Sequence, residues 1–460
     1  VSDLFALLNR ATRALDAQRF GLDVAGQNVA NVNTPGYVRR ALILADVPPP
    51  DLQSSGGGVD AVAVVASRAP LVEARLRFEQ PAASREQAKA ESLAVVEAGL
   101  GQPGESIDAE LAKFYNTYGA LAQNPTSSPS RQQVILAGQS LARAFSDMSA
   151  RFDEAQRTAD ADVRATVTQI NTLAAQLADI NRQISETESA NTQGLVDQQT
   201  AVVQEIGKLV DVGYIAHADG TVDLSVGNGR ALVIGQYGYP LQLAASPFTG
   251  FATITATGGS PTDVTDEISG GRVGGLIQVR DTLLPSYRSQ LDQLAYSMAN
   301  DVNALTTTGY DLNGNAGLAF FTPPAAVSGA ARLLIVNPAV AANNALIVAS
   351  ATTTSGNNDI ARAVQALQDN PMTGSTARPV DGWGSLVYSV ATDAAGAQQS
   401  QKAHEQVTVQ LQNLRDQISG VSLDEEAAML MKFQRAYEAN ARFFQIASAT
   451  LDTLLSLAGR

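Results

Sequence analysis

Several stretches of the chain carry residue types that do chemistry in other proteins. Gly138-Gln139-Ser140-Leu141-Ala142 sets a serine two residues after a glycine, as a nucleophile elbow does. The second glycine, which lets a strand turn sharply into a helix, is replaced by Ala142, and the surrounding apolar spacing puts the whole stretch inside a helix. A Ser-His-Asp relay would need His217 or His404, the only two imidazoles. His217 precedes an Asp219-Gly220 turn and His404 sits beside Glu405 on a charged helix face, so both are expected to be solvated. Asp311-Leu312-Asn313-Gly314-Asn315 alternates like a calcium loop, but its glycine is fourth rather than sixth and its twelfth position is Thr322, so a plain turn is expected. Glu425 and Glu426 are consecutive and diverge by about 100° on a helix, which cannot bracket a glycosidic bond. With Asp424 they instead favour a helix N-terminus after Ser422. Without any Cys, thiolate metal sites, disulfides and cysteine nucleophiles are excluded. The expectation is a chain with no catalytic, cofactor-binding or metal residues, which is not an enzyme.

The elements that would position such groups are mostly long helices. At 460 residues, with 45% hydrophobic and 17% charged side chains, the chain is long enough for several folded units. Its 31 Lys and Arg against 45 Asp and Glu give −14, which argues against nucleic acid and anionic membrane as partners. The surplus is not uniform: residues 1–40 hold five Arg against three Asp, residues 421–460 hold four basic against five acidic groups, and the middle keeps −15. Neither a basic-then-apolar leader nor an 18-residue apolar run is visible, so export without a cleaved signal peptide and no membrane span are expected.

Leu4, Leu8, Ala11, Leu15, Gln18, Leu22, Ala25 and Val29 step by four and three, a heptad seam predicting a helix over 3–31. Leu430, Phe433, Tyr437, Asn440, Phe444, Ala447, Leu451, Leu454 and Ala458 repeat the rhythm at the other end. A striped helix gains little alone in water, so these arms are expected to pack on each other and on neighbouring subunits. The first arm stops in Asn31-Val32-Asn33-Thr34-Pro35-Gly36-Tyr37, where proline lacks a donor and glycine tolerates positive φ. Residues 37–67 should be extended. Ser128 is expected to cap a helix of some 55 residues with Pro129 at its first position, and its seam shifts near Asp162 as at a stutter. Asp219-Gly220 and Asn228-Gly229 turns flank alternating Val222, Leu224 and Val226, which predicts a β insert closed by the glycines at 270–275. Helices are predicted over 276–305 and 383–419, with 306–358 irregular and partly strand.

The fold class expected is mainly α with an inserted β domain (α+β), built from terminal coiled-coil arms, an elongated rod of long antiparallel helices and a β-rich tip. The divisions are 1–40 with 421–460, 41–210 with 273–420, and 211–272, the last sharing strands with 306–358.

Asn28 to Tyr37 resembles the Asn-Xaa-Xaa-Thr-Pro-Gly-Tyr signature of bacterial flagellar rod, hook and junction proteins, in letters and in its place directly after a heptad helix. Gln434 to Arg442 and Leu451 to Leu455 are similar to the matching C-terminal end. Leu121 to Pro125 with Arg131 to Val134, Gly271 to Leu276, and Ser419 to Glu426 resemble the hook-associated protein 1 family, the first junction between hook and filament. Val196-Asp197-Gln198-Gln199 departs from the more usual Asp-Gln-Arg-Asp run, and the chain is shorter than many relatives. The resemblance implies a self-assembling subunit whose terminal helices line a tube and are unfolded before assembly. Its implied partners are copies of itself, the hook protein, the second junction protein, a cytoplasmic export chaperone and the type III export apparatus. It also implies residence on the extracellular flagellum. Rival readings are a hook or distal rod protein, whose middle is usually mostly β, an exported hydrolase, and a free-standing coiled-coil adaptor.

Overall fold

The computed structural model describes residues 2–34, 36–48, 57–102, 104–187, 192–354 and 356–458. Helix α1 (Ser2–Ala30) leads into a hairpin of β1 (Arg40–Asp46) and β2 (Val59–Ala66), with a register shift at Ile43/Leu44. Next come α2 (Pro70–Leu100), α3 (Ile107–Gln123), α4 (Ser128–Glu186) and α5 (Gln193–Leu209). Two antiparallel sheets follow. The first is β3 (Gly213–Ala216), β4 (Val222–Val226), β5 (Arg230–Ile234) and β6 (Tyr237–Gly238), and the second is β7 (Gln242–Ala245), β8 (Ala252–Ala256) and β9 (Thr262–Asp263). Helix α6 (Gly271–Gln278) runs through a π turn (Val279–Leu283) into α7 (Leu284–Thr306). After short helices α8 (Ala330–Leu333), α9 (Pro338–Ala342) and α10 (Asp359–Ala366), the chain ends in α11 (Pro379–Ser419) and α12 (Leu423–Ala458).

The 59-residue α4 is the axis of the molecule, about 88 Å long at about 1.5 Å per residue. Its first half, from Val134 to Phe152, belongs to a core shared with α3, α7, the 320–364 segment and the start of α11. Phe114, Tyr118, Phe320 and Phe321 stack edge-on or tilted there at 4.9–5.8 Å. Its second half, from Val163 to Ile184, serves a different core with α5, the two sheets and α6. Gln156 and Asp160 lie between them, where the sequence shows its stutter. Opposite stands the π turn, which inserts an extra residue into the α6–α7 run. The phase shift in one helix is thus met by one in the other.

That seam between cores is polar and sealed. Asp160 accepts from Arg280 at 2.6 Å, from Arg164 at 2.8 Å and from the Ala252 amide of β8 at 2.7 Å. Arg280, 2% exposed, also donates to the Ala252 carbonyl at 2.9 Å, and Gln156 donates to the Arg280 carbonyl at 2.7 Å. Burial works to raise the Asp160 carboxyl, but the hydrogen bonds from Ala252, Arg164 and Arg280 outweigh it and hold it below the usual carboxylate value.

Several expectations need correction. Ser127, not Ser128, caps α4: its hydroxyl accepts from the Ser130 amide at 3.3 Å, because Pro129 already supplies the donor-free position. The glycines at 271–275 open α6 rather than close the insert, since a side chain on Gly275 would strike the Arg85 carbonyl of α2. Helix α11 begins at Pro379, earlier than 383. Among the described residues, the insert shares no strand with 306–358, whose bridges Tyr310–Ser350 and Phe321–Val336 stay within that segment. Both histidines have acidic partners: His217, exposed as expected, lies 2.8 Å from Asp223, and His404 on α11, only half-buried, lies 2.8 Å from the buried Glu79 on α2. Asp311 does form a turn, accepting from the Asn313 and Asn315 amides at 2.8 Å.

Candidate assembly site

Helix α1 packs along α12, although the two lie at opposite ends of the sequence. The heptad positions account for the contact. On α1, Ala11 and Ala25 are buried and Leu8, Leu15, Leu22 and Val29 half-buried. On α12, Phe433 and Ala447 are buried and Leu430, Phe444 and Leu451 half-buried, while Tyr437 and Leu454 stand more exposed. The burial of Leu4 and the geometry of Pro35 fall outside the described residues. Gly21 makes the approach close: a Cβ there would sit 2.6 Å from the Phe433 ring. No residue of either helix belongs to the cores of the central helices.

Outside that seam the pair keeps an outer set of apolar side chains. Phe5 and Phe20 on α1, and Met431, Phe443 and Ile446 on α12, are exposed, Ile446 at 67%. Phe20 borders a cavity shared with Val64 of β2 and Gln193 of α5, while Phe5, Met431 and Ile446 are each more than half exposed.

The pair is fixed at its base by a buried corner. Asn28 is 1% exposed and all its amide capacity is used. Its oxygen accepts from the Tyr37 hydroxyl at 2.9 Å and the Arg40 amide at 3.0 Å. Its nitrogen donates to the Arg40 carbonyl at 2.8 Å and the Glu426 carboxylate at 3.1 Å. Glu426 also accepts from Arg39 Nε at 2.7 Å, and Arg39 reaches Glu425 at 2.8 Å. Arg39 N donates to the Ser419 carbonyl at 2.9 Å and Ser67 Oγ to the Ile418 carbonyl at 3.1 Å, so the hairpin satisfies the last turn of α11.

The signature residues build the bend that brings Tyr37 back to Asn28. Asn31 Nδ2 donates to the Gln27 carbonyl at 2.9 Å, and Thr34 Oγ1 donates to Asn31 Oδ1 at 3.2 Å. Tyr37 N donates to the Thr34 carbonyl at 3.1 Å across Gly36, whose φ is +81°. Asn33 is exposed. Burial raises the Tyr37 hydroxyl, which Arg40 opposes and Asp197 and Glu426 reinforce.

Asp197 of α5 extends the corner, bonding Arg40 at 3.3 Å and Arg68 at 2.6 Å. Burial raises this carboxyl despite Arg68 and Arg40. Sequence alone points to the helix seams, the bend and Glu426 in the first turn of a helix, where the structure has it, but not to Asn28, Arg39, Arg40 and Asp197 as its neighbours in a buried corner. One signal was present: Asn28 is a polar residue three positions after Ala25, on the apolar side of its helix.

Comparison with known proteins bears on the same segments. Residues 93–321 match the family described as "Flagellar hook-associated protein FlgK helical domain". Residues 8–37 match "Flagella basal body rod protein", and residues 415–457 match "Flagellar basal body rod FlgEFG protein C-terminal". The last two hold α1 with its bend and α12 with the end of α11. Flagellar hook-associated protein 1 of Escherichia coli (strain K12) is 25% identical over 98% of this chain and 100% of its own length. Its Bacillus subtilis (strain 168) counterpart is 26% identical over 99% of both. The solved flagellar hook junction protein FlgK from Burkholderia pseudomallei shares the fold, with a TM-score of 0.67 at 16% identity, over 74% of this chain and 99% of that one. The chain belongs to the flagellar hook-associated protein 1 family.

Proposed function

We propose that this chain is a structural subunit of the bacterial flagellum that forms the junction between hook and filament and polymerises through its N- and C-terminal helices. The observation that carries the assembly mechanism is the two-sided α1–α12 pair. Its inner seam is used within the chain, and its outer row of Phe5, Phe20, Met431, Phe443 and Ile446 is open for neighbouring copies. The heptad residues therefore set the register of the pair, and the outer row makes the contacts between subunits. Residues 1–40 and 421–460 act as one assembly unit, with the corner at Asn28 tying it to the body of the molecule.

In this role the neighbours are copies of the chain, the hook protein below and the second junction protein above. The subunit reaches them by type III export, guided by a cytoplasmic chaperone, and works outside the cell. It carries out no catalysis: the side chains best suited to chemistry are engaged in structural pairs, His404 with Glu79, His217 with Asp223, and Glu426 with Asn28 and Arg39. A hook or distal rod protein is the weaker reading, because residues 93–321 form the helical body matched to the hook-associated family.

The test is the double variant Leu451→Asp with Leu454→Asp. It should leave the cores of the central helices folded and abolish incorporation at the hook tip, seen as filament subunits shed into the medium. Normal filaments on hooks bearing the variant would refute the assignment.

A further inference from the structure

Two asparagines of the chain are followed by glycine, Asn228 and Asn313, and both lie in turns. In an Asn-Gly pair the glycine amide can attack the preceding side chain readily, because glycine puts no Cβ in the path. The fold treats the two differently. Asn313 sits in the Asp311 turn, where the Gly314 amide, the attacking group, donates to the Asp311 carbonyl at 3.2 Å. The Asn313 amide is itself held by Asp311 Oδ1 at 2.8 Å, and Leu312 N is tied to the Ala345 carbonyl at 3.0 Å. Asn228 is the second residue of the turn 227–230 between β4 and β5, closed by Arg230 N donating to the Gly227 carbonyl at 3.0 Å. That closure does not use the Gly229 amide. Among the described residues no hydrogen bond engages it, and nothing lies within 4 Å of where a Gly229 Cβ would be. Asn228 and Gly229 are both exposed, so water has access to the reacting groups.

We propose that Asn228 is a site of spontaneous covalent modification, converting to isoaspartate and aspartate in the folded protein while Asn313 is spared. The Gly229 nitrogen gives up its proton to solvent and bonds to Asn228 Cγ, the Cγ–Nδ2 bond breaks, and the side-chain nitrogen takes up a proton and leaves as ammonia. The product is a five-membered imide. Water then opens it, at Cγ to give aspartate or at the backbone carbonyl carbon to give isoaspartate, so one ammonia is lost and one water gained with no oxidant or reductant. Each event adds a negative charge, and isoaspartate also adds one carbon to the main chain of the turn. The strands on either side carry Leu224, Val226, Leu232 and Val233 into the core around the second half of α4. Glu267 Oε2, buried and without a hydrogen-bond partner, lies 3.0 Å from where a Gly227 Cβ would be, so the new charge arises one residue from that carboxylate. Because the product accumulates with time, and faster as pH rises, this turn records the age of the folded chain. The inference stands apart from the junction role.

The test incubates the purified full-length chain in mildly alkaline buffer and maps its peptides by mass spectrometry, with electron-transfer fragmentation to tell isoaspartate from aspartate. Asn228 should convert, with isoaspartate in excess. Asn313 in the same digest should react about tenfold more slowly, the factor set by about 1.4 kcal/mol for breaking the Gly314 hydrogen bond. In urea the two should react at similar rates, since unfolding removes the Asp311 turn. Asn228→Gln, whose longer side chain would have to close a six-membered ring, should stay unmodified over the same incubation, and melting checks that it folds. An Asn228 that stays intact in the folded chain but reacts in urea, or equal rates at Asn228 and Asn313 in the folded chain, would overturn the proposal.

Discussion

Asn28 and Glu426 are 398 residues apart in sequence and meet through a 3.1 Å hydrogen bond in the buried corner. Because Asn28 also holds both backbone polar groups of Arg40, this contact makes the bend after α1 and the start of α12 a single unit. The two terminal helices therefore share one buried polar anchor.

Asn28→Ala should therefore strip partners from the Tyr37 hydroxyl, the Arg40 amide and carbonyl, and Glu426 at once. Buried polar groups left unpaired make this a loss of about 2 to 3 kcal/mol, concentrated in the terminal pair. Glu426→Gln should cost less, because Glu425 still holds Arg39. Chemical denaturation followed by a probe on α12 measures both, and an unchanged midpoint for Asn28→Ala would refute the lock.

Gly21 and Gly26 lie on the same helix and should respond oppositely to the same change. A methyl group at Gly21 meets the Phe433 ring, itself buried, so Gly21→Ala forces α1 and α12 apart at a cost of about 1 to 3 kcal/mol. At Gly26 nothing lies within 4 Å, and alanine there should add up to about 1 kcal/mol through helix propensity. Thermal melting and swimming-ring diameter would separate them, with motility lost for the first variant only.

Acid should loosen the joint between the two cores of α4 before it unfolds either core. The folded Asp160 carboxyl is held below its unfolded value by Ala252, Arg164 and Arg280. Its contribution is therefore complete above the unfolded carboxylate range, about pH 4, and fades as pH falls through the folded value. Asp160→Asn should be less stable at neutral pH and show a flatter acid limb, read by hydrogen exchange at β8 and the 279–283 turn. An acid profile identical to the parent chain would exclude Asp160 as the group responsible.

The helices were legible because they are long and striped: the seams at Leu8 to Val29 and Leu430 to Leu451 mark the faces that pack, and the phase slip near Asp162 marks where α4 changes cores. Hydrogen-bond partners were less legible, because they depend on which distant segments meet. His404 looks solvated until α2 brings Glu79 to it, and Glu426, a helix-start charge as its sequence position suggests, gives no sign that Asn28 and Arg39 close over it. The outer apolar row was also hidden, since a heptad pattern names one face and Phe443 and Ile446 fall off it. Short-range rules failed by small margins, as at Ser127, where adjacent serines compete for one cap.

The same anatomy sets an order of local stability. Helices α1 and α12 bury mainly each other, with α1 also lying against the β1–β2 hairpin, and they contribute small residues such as Ala11, Ala17 and Ala25 on one side and Phe433 and Ala447 on the other. By contrast α4 buries Val134, Leu141, Phe145, Val163, Ile170 and Leu177 in two cores. Opening the terminal pair therefore exposes little apolar area, whereas opening α4 dissolves both cores. Amide exchange of the isolated chain should be fastest in residues 2–20 and 440–458, slower at the Asn28 corner, and slowest along α4. Assembly covers Phe5, Phe20, Phe443 and Ile446, so protection of the terminal helices should rise sharply in the polymer. Terminal amides already protected as strongly as those of α4 in the monomer would mean that burial between subunits is not what stabilises these helices.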